Sequence, residues 1–209
     1  MRCPSREGRR RSRRAECAAA LAAQYCQRGA VLLQCFPIAF AIENKDGELP
    51  MNDTLKSHIR TQSRLNFVIN LVLNGAIAWF LLKDKPALSA WGEHGYGADL
   101  MITGFLLAAL VAVFAMKGHR SKLAKGQHEA LPPAALGALA HVATRNDWSN
   151  SLLFGLAGAL LGAGTVGMLM LLPLPPFSPL AYAVFKGVWA GVLAALVIPP
   201  AIKLGLRAA

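Results

Sequence analysis

Beyond Cys35 the sequence contains no cysteine, and the four it has (Cys3, Cys17, Cys26 and Cys35) all precede that point. Four cysteines in 209 residues are too sparse for a disulfide-stapled scaffold. Charge is scarce as well. Only 16% of the residues are charged, where soluble domains carry about 25%. Acids are the scarcer sign, 11 against 22 Lys and Arg, leaving a net charge of +11. With 55% hydrophobic residues and a mean hydropathy of +0.40, the chain is too apolar to be intrinsically disordered as a whole. Its length excludes a large multidomain enzyme.

Motifs of catalysis and cofactor binding are missing too. There is no Gly-rich phosphate loop and no nucleophile elbow. His58, His94, His119, His128 and His141 have no metal-ligand spacing, and none lies inside a long apolar run where a haem pair would need it. No catalytic residue, metal or cofactor is therefore expected, and the chain does not read as an enzyme. His94 beside Glu93 offers at most a weak metal contact.

Residues 1–50 stand apart. They hold all the cysteines and the run Arg9-Arg10-Arg11-Ser12-Arg13-Arg14. That run fits the basic region of a targeting signal or a nucleic-acid arm. The Ala18–Ala23 stretch is too short and Ala-rich for a signal core, and no small-residue cleavage site follows in register. Ala30–Ile42 is too short to span a hydrocarbon core of about 30 Å as a helix. The favoured expectation is a disordered leader or an N-terminal extension, with the membrane protein starting at Met51. No nucleic-acid partner is expected.

What is there is four long apolar segments: about 65–82, 98–116, 151–172 and 180–203. Each approaches the roughly 20 residues that a transmembrane helix needs. Inside lipid the backbone must satisfy its own hydrogen bonds, so isolated runs of this length form helices. The runs do not alternate every second residue, which excludes a transmembrane barrel. The expected fold is an all-α integral membrane protein of four spans arranged as two hairpins, with residues 51–209 as its domain.

Loop charges predict the orientation. Lys56, Arg60, Arg64, Lys117, Arg120, Lys122, Lys125, Arg145, Lys203 and Arg207 fall on one side, against Lys83 and Lys85 on the other. Both termini are expected in the cytoplasm. Trp79, Phe80, Trp91, Phe177 and Tyr182 are expected as anchors at the outer boundary and Trp148 at the inner one. The cytoplasmic loop, about 117–150, begins basic and is expected to lie on anionic headgroups, each Lys or Arg contributing about 1 kcal/mol. Pro132-Pro133 suits the start of a short amphipathic helix over Ala134–Ala143.

An offset of 87 residues superposes 65–120 on 152–207 without a gap. It matches Leu65 with Leu152, Phe67 with Phe154, Gly75 with Gly162, Pro86 with Pro173, Gly104 with Gly191 and Gly118 with Gly205. The signal is weak in so apolar a sequence. A genuine repeat would be parallel, its halves related about the membrane normal.

Polar residues within the spans are the candidate sites. Asn66, Asn70 and Asn74 recur every fourth residue and share one helix face. They are expected to bond across helices or to line a polar path. Lys186 either snorkels to the headgroups or pairs with an acid. Asp99, with Thr103 one turn deeper, stands at the offset position equivalent to Lys186, and an Asp99–Lys186 ion pair is expected. Gly155, Gly158 and Gly162 in the third segment, and Gly187 and Gly191 in the fourth, make small-residue faces that let backbones approach. They are expected to pack the third segment on the fourth, with homodimerisation as the other use. Pro199-Pro200 should kink the fourth helix or end it.

On the Asn stripe, the Asp99/Thr103 start of the second segment and Phe185-Lys186-Gly187, residues 51–209 resemble small uncharacterised bacterial inner-membrane proteins of four spans, labelled permease-like. The resemblance implies residence in the inner membrane and no particular activity. Two functions follow as expectations: an accessory or structural subunit of a membrane complex, or a small oligomeric transporter using the Asn stripe and the Asp99–Lys186 pair. The expected partners are the bilayer and another membrane protein or a second copy.

Overall fold

The computed structural model describes residues 53–85, 87–92, 95–144, 146–172 and 176–207. The expectations for residues 1–50, and for Glu93 and His94, lie outside the described residues. The described chain is helical: α1 (Asp53–Leu82), α2 (Tyr96–Ala124), a 3-10 turn (Pro133–Leu136), α3 (Leu139–Val142), α4 (Asp147–Leu171) and α5 (Pro179–Gly205). Among the described residues the only extended pairings are isolated bridges, Leu88 with Phe177 and Leu131 with Arg207. α1, α2, α4 and α5 are each long and apolar enough to cross a membrane.

The helices outrun the apolar segments at the polar ends. α1 begins at Asp53, well ahead of Leu65, because Thr54–Arg64 contains no helix breaker and its charged residues tolerate water. α2 continues to Ala124 and stops in a Schellman turn. Gly126 there takes φ +68°, and the N–H groups of Gly126 and Gln127 donate to the carbonyls of Leu123 and Lys122, each at 3.0 Å. α4 is capped by Asn146, whose side chain accepts from the Trp148 N–H at 3.0 Å. Ser178 caps α5, followed by Pro179 in the first turn, where its missing N–H costs nothing.

Two expectations need correction here. The amphipathic helix over 134–143 is instead a 3-10 turn and a single α-turn, parted by Gly137 at φ +55°, a left-handed value that ends the first piece. α5 does not end at Pro199-Pro200 but continues through both to Gly205. The prolines remove two N–H donors, and a helix packed among neighbours on most of its surface tolerates that loss.

Three helix pairings are extensive: α1 with α5, α2 with α4, and α2 with α5. Of the spans adjacent in sequence, only the second and third (α2 and α4) pair extensively; the short-loop neighbours α1 and α2, and α4 and α5, do not. The order of packing is therefore α1–α5–α2–α4. α5 is the most enclosed, with 56% of its apolar window buried, against 11% for α1.

Glycines make the close contacts. A Cβ on Gly158 would collide with the Gly104 carbonyl and lie 2.8 Å from the Ala108 Cβ, and one on Gly162 would lie 2.8 Å from the Leu100 carbonyl oxygen. Gly155 faces the Phe105 ring. On α5, a Cβ on Gly187 would stand 2.6 Å from the Leu71 carbonyl oxygen, and one on Gly191 2.8 Å from that of Phe67. So the third segment packs on the second and the fourth on the first, not the third on the fourth. Sequence marks a small-residue face but not the face it meets. In both pairs residue numbers rise on one helix as they fall on the other, so each pair is antiparallel.

Alanine at Gly158 should therefore destabilise the bundle by about 1–3 kcal/mol, the usual cost of overpacking. Alanine at Gly164, where a Cβ meets nothing within 4 Å, should stay within about 0.5 kcal/mol of the parent. Reversible unfolding of both variants in mixed micelles checks this.

Candidate functional site

Two polar constellations stand out, one at each end of the bundle. The first lies near the short-loop end, where the α1–α2 and α4–α5 connections meet. There Leu88 and Phe177 exchange backbone hydrogen bonds of 2.8 and 3.2 Å. Asp99 comes from the first turn of α2, and Tyr182 and Lys186, one turn apart on α5, face it. Lys186 Nζ donates to Asp99 Oδ1 and Oδ2 at 2.6 and 2.7 Å. The Tyr182 hydroxyl donates to Asp99 Oδ2 at 2.5 Å. Thr103 Oγ1 stands 3.5 Å from Oδ1.

Burial decides what this means. Lys186 is 5% exposed and Tyr182 fully buried, while the Asp99 side chain is 39% exposed. Lys186 thus turns inward to its counter-ion and does not snorkel to water. Tyr182, expected as a boundary anchor, is instead a core residue. An aromatic belt needs a ring with one wet edge, and this ring is enclosed by Tyr96, Phe177 and Phe185, with its hydroxyl spent on Asp99. The signal in the sequence was its position, one turn before Lys186. The group is neutral in sum and ties α2 to α5.

The Asn stripe behaves differently from either expectation. Asn66, Asn70 and Asn74 Nδ2 each donate to the carbonyl four residues earlier, at 3.0, 2.9 and 3.1 Å. Asn74 also approaches Asn70 Oδ1 at 3.5 Å. These bonds lie within α1 and do not cross to another helix. In an apolar setting the nearest unsaturated acceptor is the second lone pair of the helix's own carbonyl. A cleft of about 190 Å³ lies elsewhere, at the short-loop end, lined by Leu88, Ser89, Ala90, Tyr96, Leu169, Pro176 and Phe177. It includes neither the Asn stripe nor Lys186.

Two further cross-helix polar contacts come from residues not singled out in the sequence. Ser151 Oγ donates to the Ala109 carbonyl at 2.7 Å, joining α4 to α2. Trp189 Nε1 donates to Thr165 Oγ1 at 3.1 Å, joining α5 to α4.

At the long-loop end, part of the basic connection is tied to the protein. Arg120 meets Asp147 at 2.9 Å, Lys117 lies 4.5 Å over the Trp148 ring, and Arg207 donates to the Thr144 carbonyl at 2.9 Å. Here also His58 of α1, His119 of α2 and His128 of the following loop converge. His58 Nε2 and His119 Nε2 are 3.1 Å apart. The ring centroids stand at 5.4, 5.5 and 6.0 Å. Their wide sequence separation concealed the group. Among the described residues no three ligating side chains stand at coordination spacing.

The ion pair gives a direct prediction. Lys186→Met should leave Asp99 uncompensated and cost about 1–3 kcal/mol. That is less than the roughly 3–5 kcal/mol for a fully buried pair, because Asp99 is partly exposed. Adding Asp99→Asn should recover most of that loss. Unfolding of the two single variants and the double variant measures the coupling.

Comparison of the chain with protein-family models, with curated proteins and with solved structures finds no match.

Proposed function

We propose that this chain is an accessory or structural subunit of a membrane complex, resident in a bacterial inner membrane with both termini in the cytoplasm. The observation that carries the reading is how the intramembrane polar groups are occupied. Lys186 is spent on Asp99, and each of Asn66, Asn70 and Asn74 on a carbonyl of its own helix. A transporter needs such groups turned toward a shared wet cavity. Groups already satisfied by the protein suit a bundle whose work is to hold a shape.

The orientation rests on the basic residues around α1, α2, α4 and α5, of which nine among the described residues fall toward the long-loop end. Lys122 and Lys125 there suit contact with anionic headgroups. The parallel repeat is supported by the contacts. The offset of 87 turns the Gly75–Gly187 approach into that of Gly162 with Leu100, and Asp99 and Lys186 are themselves equivalent positions. On this reading two hairpins interlock, so that each packs its helices on the other's.

Native mass spectrometry of the protein extracted under mild conditions tests the role. A reproducible complex of fixed stoichiometry with one other membrane protein is expected. A bare homo-oligomer that moves a solute across proteoliposomes would contradict the reading and favour the transporter.

A further inference from the structure

We propose that His58 and His119 form a pH-operated latch, which holds the polar end of α1, residues 53–64, against α2 at neutral pH and releases it on acidification.

The tautomers come first. His119 Nδ1 lies 2.8 Å from the Ala115 carbonyl oxygen. A carbonyl only accepts, so Nδ1 carries the proton and Nε2 of the neutral ring presents a lone pair. His58 Nε2, 3.1 Å away, is the donor to it. α1 and α2 are not among the extensively paired helices, so this bond carries weight in joining them at the long-loop end. His119 is 7% exposed and is held further by Gly205 of α5, a Cβ on which would lie 3.1 Å from the His119 Cβ.

Protons undo this bond in two steps. The first can settle on His58 Nδ1, which leaves the Nε2–H donor in place. The second has only His119 Nε2 to go to, and there it replaces the lone pair that accepts the bond. Two cationic rings then point N–H groups at each other. The neighbours add to the repulsion. Lys122 of α2 and His128 of the following loop act on both rings, the His128 centroid standing 5.5 Å from that of His58 and 6.0 Å from that of His119. On α5 the residue against His119 is Gly205, which carries no charge. Both histidines lie beyond the apolar segments, on the polar extensions of their helices. Burial, then Lys122 and His128, hold the His58 imidazole below its ordinary 6.5. For His119 burial again leads, with the Ala115 bond opposing it and Lys122, His58 and His128 adding to it. Rings held below their ordinary value resist protonation while the latch is closed. The latch is therefore at full strength above pH 6.5 and weakens as the pH falls below it. Ile59, next to His58, packs with Ile198, Ile202 and Leu206, so release also uncovers apolar surface and takes both charges to drive.

The test uses the full chain in mixed micelles, with Cys3, Cys17, Cys26 and Cys35 replaced by serine and spin labels on Ser57→Cys and Ser121→Cys, two exposed positions beside the pair. The interspin distance is followed from about pH 8 to about pH 5, a range in which ordinary carboxylates stay ionised. A narrow distribution is expected at the alkaline end, growing longer and broader below pH 6.5. His58→Gln should abolish that shift, because its amide donates to neutral His119 and, turned over, accepts from protonated His119. His141→Gln, which alters an exposed histidine outside the cluster, should leave the shift in place. A distance in the parent that does not change with pH, or a shift that persists in His58→Gln, would overturn the proposal. If His58→Gln does not fold, hydrogen exchange of the unlabelled parent decides. Exchange over residues 53–64, corrected for its intrinsic pH dependence, should rise on acidification, and the absence of that rise overturns the latch.

Discussion

Helices in hydrocarbon are not pushed together by water, so association depends on how closely their backbones approach. In this chain that constraint is met at glycine. Gly158 on α4 meets Gly104 on α2, and Gly187 on α5 meets Leu71 and Gly75 on α1. A methyl group at either place would occupy space already taken by a carbonyl. Dispersion falls off steeply with separation, so direct backbone contact yields more attraction than side chains of the same volume held apart. The remaining architecture follows from these two seams. α2 and α5, each carrying one seam, are joined to each other, and the order α1–α5–α2–α4 results.

The α2–α5 joint combines apolar and ionic contact. Leu193, Val197, Ala201 and Leu204 of α5 pack with Ala108, Ala112 and Met116 of α2 in one buried cluster. Toward the short-loop end, Tyr96 and Leu100 of α2 meet Tyr182 and Ala183 of α5. The Asp99–Lys186–Tyr182 group stands in that second cluster. An ionic group there adds directionality that apolar contact lacks: it sets which residue of α2 stands opposite which residue of α5. The Asn stripe of α1 imposes nothing comparable on helix choice. The three asparagines bond within their own helix, and so keep α1 polar on one face without naming a partner for it.

The spans were legible because runs of apolar residues report burial in lipid independently of tertiary contacts. Asp99 and Lys186 were legible for a related reason: opposite charges at equal depth in a poor solvent have few other options. What could not be read was anything set by the partner surface. Gly158 and Gly187 announce a close neighbour without saying which helix provides it. Tyr182 looked like a boundary residue because ring depth along the membrane normal is readable and ring direction is not. The bonding of the Asn stripe was not legible because a carboxamide in an apolar helix can turn back on the carbonyl four residues earlier, and spacing alone does not separate that from a bond across helices. The His58–His119–His128 convergence joins two helices and a loop, and no local pattern encodes it. Helix ends departed from the apolar segments where Thr54–Arg64 stays helical in a polar setting, a continuation that hydropathy alone does not signal.

The order of packing is tested most directly by disulfide trapping in the membrane, with Cys3, Cys17, Cys26 and Cys35 replaced by serine. Gly75→Cys paired with Ala183→Cys places the two thiols across the α1–α5 seam, where a Cβ on Gly75 lies 3.3 Å from the Ala183 carbonyl oxygen. The account predicts rapid formation of an intramolecular disulfide at this pair under mild oxidation. A pair that stays reduced, while cysteines placed between α1 and α2 cross-link readily, would contradict it.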